Sequence, residues 1–506
     1  MKHFYSFLIL LFITISGFSQ NPINAKILDS ISLQPIPYAT ISINNNSGVI
    51  SNENGEFSMY LNDHISDKDS LKIRSLGYET KQFLIKNFTE DVILLNSKSI
   101  ELKEVMLSNK NYSPEEIIEK IKENLSNNYD FSFIKSKLFY RASYYSKLLK
   151  NDVKLKKSTI PEFNQQFIDS LLIALPKDAD DYTEILADLY GKTGVVDAQK
   201  IDIIKASHLY DKSKELSFEG YEEKFNNIIK KHVKRDSYFK IKSGIFGTKE
   251  EIDSSYFENA NAKDVEETQA MLEEKKKQEQ ERKKDFANYR KSSIVDLQRN
   301  SFIFEDNYLN FLNKSNRYDF KVEDYSFLND EFVYKISFTP KRKEDYKGII
   351  YVNTDDFAII RIDYENVKVL KNFRLLGISY NHYLKKGTLI YAKNNSDKYA
   401  LKYADMEEGS KFGIKRPLTI IEKNKHTKGR RKQNQLSSDI HFAMSNTQKT
   451  ELVVFGNESI SETAFNNFEE TPKVEPVYLP KYDPEFWKGY NVMEPNKAIK
   501  DFKSIE

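Results

Sequence analysis

The sequence predicts an α+β multidomain chain, with an N-terminal β-sandwich, a helical middle region and a C-terminal large antiparallel curved β-sheet. Three observations predict it. Apolar and polar residues alternate with a period of two, between turn residues, over residues 20–107. The apolar spacing lengthens to the helical period over residues 108–300. The period of two returns over residues 301–460, and a strap of residues 461–506 closes the chain. At ~150 residues per domain, the 506 residues make about three domains, each long enough to bury a core. The 17 Gly, the 13 Pro and the lack of a second long apolar run exclude collagen-like, fully disordered and multi-span helical membrane classes.

Residues 1–19 read as a signal peptide. Met1, Lys2 and His3 give a positive start, and Phe4 to Phe18 is almost unbroken apolar. That run, about 15 residues, is short of the ~20 that a spanning helix needs. Gly17 and Ser19 suit the small-residue pockets of a signal peptidase, so cleavage is expected after Ser19. With no cysteine, the chain forms no disulfide and offers no thiol for a lipid. The expectation is an exported protein, periplasmic or outer-membrane associated, and not a lipoprotein. A net charge of +2 gives no global field to attract nucleic acid.

The sandwich strands follow. Ala39, Ile41 and Ile43 alternate with Thr40, Ser42 and Asn44; Phe57, Met59 and Leu61 alternate with Ser58 and Tyr60; Leu71 and Ile73 flank Lys72. Asn52-Glu53-Asn54-Gly55 is a turn whose Asn and Gly tolerate positive φ. Pro35 and Pro37 fix an extended entry that a central strand would not accept.

Asp29, Gln34-Pro35-Ile36-Pro37-Tyr38-Ala39, Gly48, Asn54-Gly55-Glu56-Phe57 and Leu71-Lys72-Ile73-Arg74-Ser75-Leu76-Gly77-Tyr78 together resemble the carboxypeptidase regulatory-like domain. The resemblance implies a transthyretin-like sandwich that serves as an accessory module rather than a peptidase. Asn52 departs from it, an Asp being commoner there, and Arg74 is a charge in a usually uncharged strand. No His-x-x-Glu zinc pair exists; the nearest approaches are His64 to Asp67 and His208 to Asp211.

In the middle region, Ser113-Pro114-Glu115-Glu116 supplies a cap, a first-turn proline and acids at the positive end of a helix. Ile117, Ile118, Ile121 and Leu125 share its face. Leu138 to Leu149 is strand-like, whereas Ile168 to Leu175 and Tyr182 to Tyr190 are expected as short helices, with Asp178, Asp180 and Asp181 in a solvated turn between them. Residues 261–291 form a charged insertion: a solvated helix or a partly disordered segment, with Glu273–Lys277 and Glu279–Lys283 in the favourable i,i+4 order.

In the C-terminal region Phe332–Phe338, Gly348–Val352, Phe357–Tyr364, Arg374–Lys385, Gly387–Ala392, Tyr399–Tyr403 and Leu418–Glu422 read as strands of one twisted sheet. One face must be covered, and the helices of residues 113–260 are the candidates. Gly348 to Ile362, a hairpin around Asn353-Thr354-Asp355-Asp356, is similar to the repeated hairpin of lipoprotein-carrier folds, which implies a curved sheet around an apolar cavity. More widely the chain resembles exported Bacteroidota proteins with a carboxypeptidase regulatory-like domain. Asn128-Tyr129, Phe139-Tyr140-Arg141 and the closing Phe486-Trp487-Lys488-Gly489-Tyr490-Asn491-Val492-Met493-Glu494-Pro495 carry that likeness, which implies no activity. Trp487, among Pro480, Pro484 and Pro495, is expected to pack the strap onto the sheet.

Chemistry is sparse. The histidines lack metal-pair spacing, and there is no Gly-x-Ser-x-Gly elbow, no phosphate loop and no cysteine nucleophile. Ser132-Phe133-Ile134-Lys135 matches Ser-x-x-Lys without its companion motifs. No enzyme activity, cofactor or metal is expected. One cluster is a candidate for binding: Lys423, Lys425, Lys428, Arg430, Arg431 and Lys432 place six cations within ten residues. They suit anionic headgroups at a membrane surface, at ~1 kcal/mol per charge, and are otherwise a solvated hairpin tip. The expected protein is therefore a non-enzymatic member of the cell envelope. Its sandwich would be an interaction module, and its curved sheet would bind an outer-membrane protein or a hydrophobic ligand, with no nucleic acid. Two rival classes are a periplasmic lipid or lipoprotein carrier, requiring an unfilled apolar concave face, and an envelope hydrolase, requiring a polar cleft with paired carboxylates.

Overall fold

The structure is a computed structural model that describes residues 22–44, 48–61, 65–66, 68–98, 112–214, 219–234, 237–251, 265–305, 307–328, 331–426 and 431–505. The chain divides into two compact units. One draws on residues 1–99, 326–330 and 483–497, the other on residues 100–325, 331–482 and 498–506.

The first unit holds β1 (Ile23–Asp29), β2 (Thr40–Ile43), β3 (Gly48–Ile50), β4 (Glu56–Met59), β5 (Ser70–Arg74), β6 (Lys81–Leu84) and β7 (Val92–Leu95). They form a three-stranded sheet, β4-β1-β7, and a four-stranded sheet, β3-β2-β5-β6. Strand β7 runs parallel to β1, and the other pairs are antiparallel. Ala25 and Ile27, Phe57 and Met59, Leu71 and Ile73, and Ile93 and Leu95 turn inward on alternate positions, as the period of two requires. The turn before β4 depends on Asn52, whose Oδ1 accepts from the amides of Asn54 and Glu56, both at 2.9 Å.

Residues 483–497 complete this unit. The Asn491 Oδ1 accepts from the Tyr60 amide at 2.7 Å, and the Asn52 Nδ2 donates to the carbonyls of Glu494 at 3.4 Å and Pro495 at 3.3 Å. Trp487 and Met493 are buried. The expectation that Trp487 fastens the strap to the large sheet is thus corrected. The strap divides, and its Trp-containing segment belongs with the sandwich because its polar partners are the main chain beyond β4 and the turn before it.

The second unit contains, in order, α1 (Pro114–Asn128), β8 (Ile134–Ser158), α2 (Gln165–Ala174), β9 (Asp178–Gly191), β10 (Gln199–Tyr210), α3 (Glu219–His232), β11 (Ser237–Ser243), β12 (Phe246–Glu251) and α4 (Val265–Arg299). Then come β13 (Tyr318–Leu328), β14 (Glu331–Pro340), β15 (Tyr346–Asn353), β16 (Ile359–Asn366), β17 (Lys371–Leu375), β18 (Ile378–Lys393), β19 (Tyr399–Asn424) and β20 (Lys432–Ser459). It closes with α5 (Glu462–Asn467), β21 (Val477–Leu479) and α6 (Lys497–Lys500). One 14-stranded curved sheet runs β13-β14-β15-β16-β18-β19-β20-β8-β9-β10-β21, with β17 on β18 and the β11–β12 hairpin on β19.

The α+β class holds, with a sandwich and a large sheet that is antiparallel except where β21 joins β10. Three local expectations are corrected. Strands from both sides of residue 300 share the sheet, so no domain boundary falls there. Tyr182–Tyr190 is strand, not helix: both faces of β9 are covered, so the period of two that marks a half-buried strand is erased. Asp178, Asp180 and Asp181 accordingly lie on β9 rather than in a turn. Arg374–Lys385 is interrupted by a tight turn at Leu376 and Gly377, both at positive φ, which separates β17 from β18. Helix α1 forms with the expected capping box: Ser113 Oγ accepts from the Glu116 amide at 3.2 Å, and Glu116 Oε2 accepts from the Ser113 amide at 2.7 Å. The charged segment is the N-terminal part of α4, whose later turns bury Ile294, Val295 and Leu297.

Candidate functional site

The pairing register fixes which side chains share a face. Thr183, Ala142, Thr450 and Met406 form one row across β9, β8, β20 and β19. Helix α4 crosses that row: Arg290 Nη2 donates to Thr183 Oγ1 at 3.1 Å, and Asn300, just beyond the helix, donates to Met406 Sδ at 3.4 Å. One row further along, the hydroxyls of Tyr289 and Tyr144 meet at 3.2 Å. Burial beneath this helix pushes the Tyr140 hydroxyl up to about 12.

Beyond α4, past a polar row of Ser146, Asn446, Ser410, His382 and Lys371, the same face turns apolar. Leu148, Met444, Phe412, Tyr380 and Phe373 line up across β8, β20, β19, β18 and β17. The next row is Asn151, Phe442, Ile414, Ile378 and Leu375, followed by Val153, Ile440 and Arg416, then by Leu155, Ser438 and Leu418. Most of these side chains are only half-buried, and Phe373 and Leu375 are 42% and 56% exposed. At the far end α2 and α3 cover the face with a cluster of Ile160, Phe163, Phe167, Ile228, Ile229 and Val233, packed on Leu436. Glu162 joins the two helical segments, pairing Lys231 at 2.7 Å and His232 at 2.8 Å. Those partners hold its carboxyl down at about 2. The result is an apolar trough between two helical covers. Arg416 is the one cation in its central rows; it donates to the Ser243 carbonyl and stacks on Phe246 at 4.9 Å.

The opposite face of the same strands is polar. Its rows are Lys147, Ser445, Lys411, Asn381 and Asn372; then Lys150, Ala443, Gly413, Ser379 and Arg374; then Asp152, His441 and Lys415; then Lys154, Asp439 and Pro417.

Of the six cations singled out in the sequence, Lys423, Lys425, Arg431 and Lys432 flank the tip between β19 and β20, where Lys423 pairs with Lys432 in register. Lys428 and Arg430 lie outside the described residues. Sequence reasoning missed the trough. Its residues alternate correctly within each strand, but only the register brings Phe373, Tyr380, Phe412, Met444 and Leu148 together.

Other chemistry stays apart. Ser132 donates to Asp130 at 2.6 Å while Lys135 pairs with Asp188 at 3.1 Å, so each member of the Ser-x-x-Lys match is held by its own carboxylate. His208, His232 and His382 each meet one carboxylate, from Asp181, Glu162 and Glu408. Among the described residues no three His, Asp or Glu side chains converge as metal ligands, and no helix is long and apolar enough to cross a membrane. A cleft of about 310 Å³ lies at the end of β8 and β20, lined mainly by Asn394, Asn395, Ser396 and Asn457.

Comparison with known proteins matches residues 23–107 to the CarboxypepD_reg-like domain family, in agreement with the two packed sheets of the first unit. No curated protein matches the chain. Among solved structures, it is similar to a domain from Vibrio parahaemolyticus described as outer membrane lipoprotein-sorting, with 10% identity, 70% of this chain and 97% of that one covered, and a TM-score of 0.21. It is also similar to the MucA/MucB complex of Pseudomonas aeruginosa, with 4% identity, 64% and 93% covered, and a TM-score of 0.14. Superpositions this loose carry no argument about what the chain does.

Proposed function

We propose that this is a non-enzymatic, exported cell-envelope protein that holds a hydrophobic ligand on the apolar face of its large sheet, with the sandwich as an interaction module. The observation that carries the reading is the half-exposed trough of Phe373, Tyr380, Phe412, Ile414, Phe442 and Met444 between α4 and the α2–α3 cover. Soluble chains rarely leave a contiguous apolar surface of this extent without an occupant. Burial of an acyl chain there gains ~25 cal/mol per Å² of apolar area.

Native mass spectrometry of residues 20–506, purified without detergent, tests it. The expected result is a lipid-sized adduct that is lost on mild activation and absent from Phe412→Glu and Phe442→Glu chains. Those changes sit at half-exposed positions, so they leave the melting temperature within a few degrees. A bare wild-type mass sinks the reading, and a discrete protein adduct gives the face to a protein partner instead.

A further inference from the structure

We infer that the polar face of the same strands is a docking surface for an anionic lipid bilayer. Lys147, Lys150, Lys154, Arg374, Lys411 and Lys415 all lie on it and all are exposed. The acids in these rows are Asp152, Asp439 and, where the first row reaches β9, Asp178; Asp439 is already paired with Lys156 at 2.7 Å and Asp178 with Lys214 at 2.6 Å. The whole chain carries only +2, so this local excess is a property of the face rather than of the protein.

The geometry selects the occupant. Strands lie about 4.8 Å apart and same-face residues about 7 Å apart, so the cations are spread over a sheet surface instead of converging on one anion. A plane of headgroups matches that spread. Lysine as a point charge with a long stem suits headgroups that move laterally, since it needs no fixed bidentate partner. The four described cations at the β19–β20 tip extend the surface at one end. A nucleic-acid surface would instead interleave free stacking aromatics with its cations; the four rows of this face hold none, and Tyr383, just outside them, already lies under Lys411 at 5.3 Å.

Co-sedimentation of residues 20–506 with phosphatidylglycerol-containing vesicles and with pure phosphatidylcholine vesicles tests the inference. Binding is expected only to the anionic vesicles, weakening as salt rises past 0.1 M (about one 10 Å Debye length). At roughly fivefold per charge, the K150Q, K154Q, K411Q and K415Q chain should lose about six-hundredfold in partition coefficient. A control with K86Q, K321Q, K341Q and K347Q carries the same net charge and should lose little. Failure of the wild type to sediment overturns the inference, as does an equal loss in both quadruple variants. Binding to duplex DNA without binding to vesicles overturns it too. Because the readout is sedimentation on the face opposite the trough, it does not depend on whether an adduct is found.

Discussion

Asn52 is 2% exposed and uses both ends of its amide: the oxygen organises its own turn, while the nitrogen reaches the carbonyls of Glu494 and Pro495. An aspartate, commoner at this position in the family the sandwich resembles, has no donor to offer those carbonyls and would also face the Glu56 carboxylate, now 3.3 Å from Asn52 Nδ2. Asn52→Asp should therefore destabilise the first unit by about 1–3 kcal/mol at pH 7. The loss should shrink near pH 4, because a protonated carboxyl can donate again; thermal melts at the two pH values check this. Arg141 makes a similar case in the second unit. It is 2% exposed, its Nε donates to Glu184 at 2.7 Å, and its Nη1 lies 3.6 Å from Glu451. Arg141→Leu should cost about 3–5 kcal/mol in urea unfolding, because it strands two buried carboxylates. Neither role was legible in the sequence, since each depends on partners far along the chain.

Among the elements, the β17–β18 turn is sensitive to a single change. A Cβ on Gly377, at φ 81°, would lie 2.1 Å from the Lys415 carbonyl oxygen. Gly377→Ala should cost about 1–3 kcal/mol and lower hydrogen-exchange protection in β17 before the rest of the sheet. The α2–α3 cover responds to acid. Glu162 titrates at about 2 in the fold against 4.5 for an ordinary carboxyl. Its depressed value means the contact stabilises fully above pH 4.5 and loses that contribution as the pH falls towards 2. Glu162→Gln should abolish that acid step in the circular-dichroism titration of the chain. Helix α1 was readable because its cap is local: Ser113, Pro114 and Glu116 satisfy one another. Strand β9 was not, because α4 supplies a partner for Thr183 on one face while Tyr182 is buried against Ile499 and Phe502 on the other. A strand covered twice has no alternation left to read.

For the whole molecule, the two-residue period revealed that a sheet exists, but not its breadth. Strand β20 was not anticipated as an element, although its 28 residues bridge β19 and β8 and thereby join the middle region to the C-terminal one. The candidate site inherits that difficulty, because a trough assembled from five strands exists only once their order is known. The sandwich carries a different consequence. Its family match ends at residue 107, yet Trp487, Met493 and the carbonyls that Asn52 holds arrive with residues 483–497. A chain made from its N-terminus at ~5–20 residues per second therefore leaves that first unit waiting roughly 20 to 80 seconds for its last piece. Throughout that interval the ribosome presents an unsealed pair of sheets, and the final stretch of synthesis acts as the latch on the first.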